Sequence, residues 1–174
     1  MSGHSKWQQI KHKKGATDKK KAVIFSKILK TIRAAAKEEP NPEFNPRLRT
    51  TIQKAKAEGV SQDSIERAIS RAKESGSEEI TVEAYGEEGT AFVIRAVADN
   101  KNRLMAEIKQ IFSNFGAKLA EPGAVLWAFE RKDGELIPKF KQTLSASAKN
   151  SAKGLLDSLA EKEEITEAFT NADI

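Results

Sequence analysis

A chain of 174 residues, 39% of them hydrophobic, has room for one or two folded domains and is too apolar for wholesale disorder, while the absence of Cys excludes disulfides, thiolate metal sites and cysteine nucleophiles. Two His do not make a zinc site by themselves, no run approaches the roughly 18 apolar residues of a membrane span, and Met1 to Lys6 lacks the apolar core of a secretory signal, so we expect a cytoplasmic protein. The net charge of +5 is unevenly spread: residues 1–73 hold 18 Lys and Arg against 7 Asp and Glu, residues 74–174 hold 12 against 18, which implies a basic module joined to an acidic one.

Residues 1–17 carry Lys6, Lys11, Lys13 and Lys14 around Trp7 with no apolar period, and read as a basic flexible arm that orders on binding. From Asp18 to about Lys37 the spacing of Phe25, Ile28, Leu29, Ile32 and Ala36 predicts an amphipathic helix, with Lys19, Lys20, Lys27, Lys30, Arg33 and Lys37 on the opposite face. Asn45 before Pro46 predicts a second helix start, its inward residues Leu48, Ile52 and Ala55, its end at Gly59. Ser61 caps a third, with Ile65, Ala68, Ile69 and Ala72 inward, and Val60 reaches Ile65 as a staple. Residues 18–76 therefore read as a three-helix bundle.

The period changes at Glu79. Ile80–Tyr85 and Ala91–Val97 alternate as strands about a Gly86–Gly89 hairpin connection, and a helix from about Asn102 turns Leu104, Met105, Ile108, Ile111, Phe112 and Phe115 inward before Gly116. Ala124–Glu130 predicts a strand, Asp133-Gly134 a turn into a short strand near Leu136, and Leu155–Leu159 a helix before a last strand at Ile165–Phe169. Residues 79–174 thus read as a compact antiparallel-sheet α+β sandwich, ferredoxin-like, with helices on one face, and residues 133–151 as turn and linker.

The chemistry available to this chain is that of binding. Gly86-x-x-Gly89 lacks the third glycine or the Gly-Lys-Ser/Thr of a phosphate cradle, and His4 and His12 have no carboxylate nearby to orient them as bases. No catalytic residue, metal site, cofactor or small-molecule substrate is expected. Trp7 among lysines offers a ring for an unpaired base and cations for flanking phosphates, or an anchor for the arm on the bundle. Lys30 and Arg33 on the first helix, and Arg47 and Arg49 at the start of the second, can track a phosphate backbone. Trp127 and Phe129 share one face of their strand with Val125, which favours core against Phe112 or Phe115 over a platform for bases.

Gly3-His4-Ser5-Lys6-Trp7, Ile10-Lys11-His12-Lys13-Lys14, Asn45-Pro46-Arg47-Leu48-Arg49 and Ile65-Glu66-Arg67-Ala68-Ile69 closely resemble the YebC/PmpR family, whose mitochondrial relatives are translational activators of cytochrome oxidase. Tyr85-Gly86 with Gly89, Asp99-Asn100-Lys101-Asn102-Arg103 and Trp127-Ala128-Phe129-Glu130-Arg131-Lys132 extend the resemblance over almost all of residues 1–132. It implies a helical first domain, an α+β second domain and a third domain inserted after the Arg131-Lys132 strand. Here Asp133 to Ser151 leaves room for a turn, a short strand and a linker, which makes this a short form.

The family is described both as DNA-binding transcriptional regulators and as ribosome-associated factors that relieve stalling on proline-rich stretches. A basic, Trp-bearing arm without a reading helix suits irregular RNA better than a duplex groove, so the partners expected are ribosomal RNA and the ribosome, with DNA as the alternative. A third reading is a protein-interaction module acting through the acidic part. No membrane partner is implied.

Overall fold

The computed structural model describes residues 18–174. The basic arm, with Lys6, Trp7, Lys11, Lys13 and Lys14, lies outside the described residues. The apolar period of the first segment makes helix α1 (Asp18–Glu38), which buries Ile32, Ala35 and Ala36 with Phe25, Ile28 and Leu29 packed beside them. Helix α2 (Pro46–Ala57) starts where Asn45 accepts the Leu48 N–H at 2.9 Å and donates its amide to the carbonyls of Ala35 and Glu39 at the end of α1. One side chain therefore closes two helix ends, satisfying groups that burial would otherwise leave unpaired. Gly59 (φ +86°) turns the chain, Ser61 caps helix α3 (Gln62–Ser70), and Leu48, Ala55, Val60, Ile65, Ala68 and Ala72 complete this core.

Beyond it, strands β1 (Glu78–Tyr85) and β2 (Ala91–Ala98) pair antiparallel in register from Glu78 opposite Ala98 to Tyr85 opposite Ala91. Helix α4 (Lys101–Asn114) leads to the two-residue β3 (Lys118–Leu119) on β1, and a long helix α5 (Ala146–Ala160) leads to β6 (Ile165–Thr170) on β2. The sheet order is β3-β1-β2-β6, all antiparallel. Phe92, Ile94 and Ala96 point to one face with Leu104, Ile108, Phe112, Leu155, Leu156 and Leu159 of the two helices.

The other face of the sheet is also covered. A separate hairpin of β4 (Phe129–Lys132) and β5 (Glu135–Pro138) packs Val125, Ala128, Phe129 and Leu136 against Ala91, Val93 and Phe169. That double cover is why every residue of β2 is buried, a run of burial that a one-faced strand would interrupt at alternate positions. Arg95, pointing toward the hairpin, is satisfied by Glu167 at 2.9 Å and lies over the Phe169 ring.

Three expectations change. The strand expected over 124–130 is a single helical turn at Leu126–Ala128 followed by β4, because the buried Glu83 carboxylate accepts the N–H groups of Gly123, Val125 and Leu126 at 2.6, 2.8 and 3.1 Å, removing them from any ladder. Val125 and Phe129 accordingly join the core under the hairpin rather than meet Phe112, and Trp127 stands 58% exposed. In the span 133–151 the turn and the short strand near Leu136 are present, as β5, but the stretch expected as linker already holds the first turn and more of α5, because Ser145 accepts the Ala148 N–H and starts the helix early.

Candidate nucleic-acid interface

The predicted basic face of α1 divides in two. Lys27 is buried, its ammonium donating to the Ala160 carbonyl at 2.5 Å, and Lys30 donates to the Glu163 carbonyl at 3.3 Å with the Glu163 carboxylate at 3.8 Å. Both amines thus meet the C-terminal end of α5, where unpaired carbonyls and the helix dipole favour a cation. Burial, and then the neighbouring Lys30 charge, lower the Lys27 pKa to about 7. Lys27 therefore belongs to the seam between the helices and the sheet and not to the phosphate-facing surface expected for it.

One turn further, Arg33 and Lys37 open onto a cleft of about 200 Å³ whose walls also include Lys30, Ser75, Ser77 and Arg103. The cleft exists because α1 lies across the end of the sheet, touching β2 and β6, while the chain leaving α3 passes through Ser75 and Ser77 into β1. Lys37 donates to the carbonyls of Ser75 and Ser77 at 3.2 and 3.3 Å, and the Ser77 hydroxyl donates to Asp99 at 2.7 Å. Arg103 is held by Glu164 at 2.8 Å and Glu107 at 3.0 Å, which raise its pKa, the Glu164 hydrogen bond most. Arg33 is exposed and makes no ion pair among the described residues. The cleft thus gathers four cations with the carboxylates of Asp99 and Glu164, and among the described residues Arg33 alone carries an unmatched fork of donors suited to a phosphate.

The other two predicted contacts lie elsewhere. Arg47 binds both oxygens of Glu79, one at 2.8 Å, with Glu167 at 3.8 Å. Burial alone would lower its pKa, and the Glu79 hydrogen bond and charge outweigh burial and raise it. This guanidinium fastens α2 to the sheet and is not available to phosphate as expected. Arg49 is exposed and donates to the Pro42 carbonyl at 2.9 Å, on the far side of the preceding loop. Lys37 shares the basic face of α1 with Arg33, one turn on, whereas Arg103 comes beside Arg33 only because α1 crosses the sheet. Among the described residues no group of His, Cys, Asp and Glu could hold a metal ion, and no helix is long and apolar enough to cross a membrane.

Comparison with known proteins supplies the family. Residues 5–75 match the model described as the TACO1/YebC protein N-terminal domain, and residues 77–136 match the one described as the TACO1/YebC second and third domain. The chain is 46% identical over 163 residues to a "probable transcriptional regulatory protein" of Brachyspira hyodysenteriae, covering 90% of this chain and 63% of that one. It is 41% identical over 175 residues to one of Geobacter sp. strain M21, covering 96% and 71%. The chain therefore spans about two thirds of the length of these relatives. In structure it resembles a conserved hypothetical protein of Aquifex aeolicus, with a TM-score of 0.80 and 26% identity over 97% of this chain and 96% of that one. With matched segments running through both its helices and its sheet, the chain belongs to the TACO1/YebC family.

Proposed function

We propose that this protein is a non-enzymatic, nucleic-acid-binding regulator of gene expression that acts on the ribosome, its cations engaging ribosomal RNA and its target being ribosomes stalled on proline-rich stretches. The observation that carries the reading is the cleft of Lys30, Arg33, Lys37 and Arg103, with Arg33 unpaired among the described residues, on the same chain as the basic residues 1–17. Arg33 and Lys37, free of carboxylate partners among the described residues, keep the opening net positive beside Asp99 and Glu164, and cations so placed hold irregular RNA by its phosphates without reading sequence. The regulator names borne by the relatives support nucleic-acid binding at the coarser level.

Those names also favour a second reading, a DNA-binding transcriptional regulator. The two differ in competition. A transcriptional regulator prefers one duplex site over random duplex by about a thousandfold or more at physiological salt. An RNA binder holds a structured ribosomal fragment against the same excess of random duplex. Arg33→Glu, at an exposed position with no ion-pair partner among the described residues, should weaken RNA binding about tenfold or more with no change in melting temperature. Unaltered RNA affinity in that variant would remove the cleft from the account.

A further inference from the structure

Trp127 is 58% exposed and Phe140 41%, and their rings stack with centroids 5.7 Å apart and planes inclined by 29°. Aromatic side chains of this size are usually turned inward, and the neighbouring Phe129 shows that the local sequence does so when it packs. Neither ring is exposed because its backbone is loose. Upstream of Trp127, Glu83 takes three N–H groups of the loop and the Tyr85 hydroxyl donates to Ala124 at 2.6 Å. The β4–β5 ladder continues outward through Lys139, whose N–H bonds the Ala128 carbonyl at 2.9 Å, so that Trp127 and Phe140 stand opposite each other. Past Phe140 the strap is pinned by Gln142, bonded to Asn171 and Asp173, and by Ser145, bonded to Glu88.

Next to Phe140 lies Lys139, and further along β4 toward the turn lie Arg131 and Lys132, all exposed and without an ion pair among the described residues. The hairpin's Glu130 and Asp133 offset part of this charge, whereas Glu135 is engaged by Lys54. A ring stacked on one neighbour and still more than half exposed presents its second face to solvent. A rigid π-surface with one cation beside it and two more along the same hairpin is matched by flat aromatic groups joined by a chain of anions.

We propose that Trp127 and Phe140 form a stacking platform for an unpaired nucleobase of a single-stranded nucleic acid, with Lys139 taking a flanking phosphate and Arg131 and Lys132, further along the hairpin, taking phosphates of the neighbouring nucleotides. The proposal rests on the nucleic-acid reading above and deepens it, since it specifies an unpaired strand and a contact surface separate from the Arg33 cleft. Stacking of this kind tolerates any base and contributes mainly affinity.

The test uses the full chain carrying Trp7→Phe, which leaves Trp127 as the one indole. Single-stranded RNA and DNA homopolymers of about ten nucleotides, and a duplex of equal length, are titrated while Trp127 fluorescence and Kd are read. Single strands should quench Trp127 and the duplex should not; RNA and DNA strands compared side by side identify the sugar preferred. Trp127→Ala should weaken single-strand binding about tenfold, Phe140→Ala less, and Trp127→Tyr should retain most of the affinity. If Trp127→Ala fails to fold, the Phe140→Ala and Trp127→Tyr pair decides by the same ordering. Single-strand affinity that survives all three substitutions but falls with Arg33→Glu overturns the platform and leaves the cleft reading standing. Absence of nucleic-acid binding in the parent overturns both. Self-association that Trp127→Ala abolishes, without quenching by single strands, would assign the rings to a second copy of the chain and overturn the platform as well.

Discussion

Lys27 shows what a cation costs when a helix is pressed against a sheet. Its amine keeps a hydrogen bond to Ala160 yet has a pKa near 7, so between pH 7 and about 10.4 the unfolded chain holds a proton there that the folded chain has released. Stability therefore rises with pH across that window, and below it the penalty is fully present. Lys27→Met keeps the stem and removes the charge. Denaturant titrations at pH 6 to 10 should find the variant at least as stable as the parent at pH 7 and below, with its advantage shrinking as pH rises; a constant difference across the series would mean that Lys27 does not titrate near neutrality. The period of α1 made its apolar stripe legible, whereas nothing along the chain separated Lys27 from Arg33, both on the polar side. Which of them meets protein and which meets solvent is settled by α5, more than a hundred residues away. Arg47 was misjudged for the same reason: its helix-start position suggested exposure, and Glu79 in β1 claims it.

At the scale of elements, the β4–β5 hairpin is the joint between helices and sheet. Its turn, Asp133 at φ +51° and Gly134 at φ +82°, is a two-residue connection of the kind that Asp-Gly favours between strands of natural twist, and this turn could be read directly from sequence. Its packing could not. A Cβ on Gly134 would stand 2.6 Å from the Arg47 Cα, and the Thr50 hydroxyl donates to the Asp133 carbonyl at 2.8 Å, so α2 rests on the turn itself. Gly134→Ala should cost about 2–4 kcal/mol, through left-handed strain plus displacement of α2. Gly59→Ala has the same left-handed strain, at φ +86°, but open space around the new methyl, and should cost only about 1–2 kcal/mol. Equal losses in urea denaturation would show that the approach to Arg47 is relaxed without expense. The turn at Leu126–Ala128 escaped the sequence reading because Val125-Leu126-Trp127-Ala128-Phe129 has the composition of a strand; the deciding group, Glu83, lies on β1 and looks like an ordinary solvated carboxylate until the fold buries it.

For the whole molecule, the shift from a 3.6-residue to a two-residue period near Glu79 located the change from helices to sheet, and the excess of positive charge before residue 74 pointed to a polyanion. The architecture adds that the two regions meet along α1, so cations from both, Arg33 with Arg103, face one opening. It also orders the strap between β5 and α5. The measurement closest to the central claim is sedimentation of the purified protein with ribosomes across a salt series, in the presence of excess random duplex DNA. If about six cations engage phosphate, the log of affinity should fall against the log of salt with a slope of about −4 to −5, and duplex should displace little of the protein. Replacing Lys11, Lys13 and Lys14 by Glu should abolish pelleting at unchanged melting temperature. Pelleting that ignores salt, that survives those three substitutions, or that random duplex removes entirely would contradict the account.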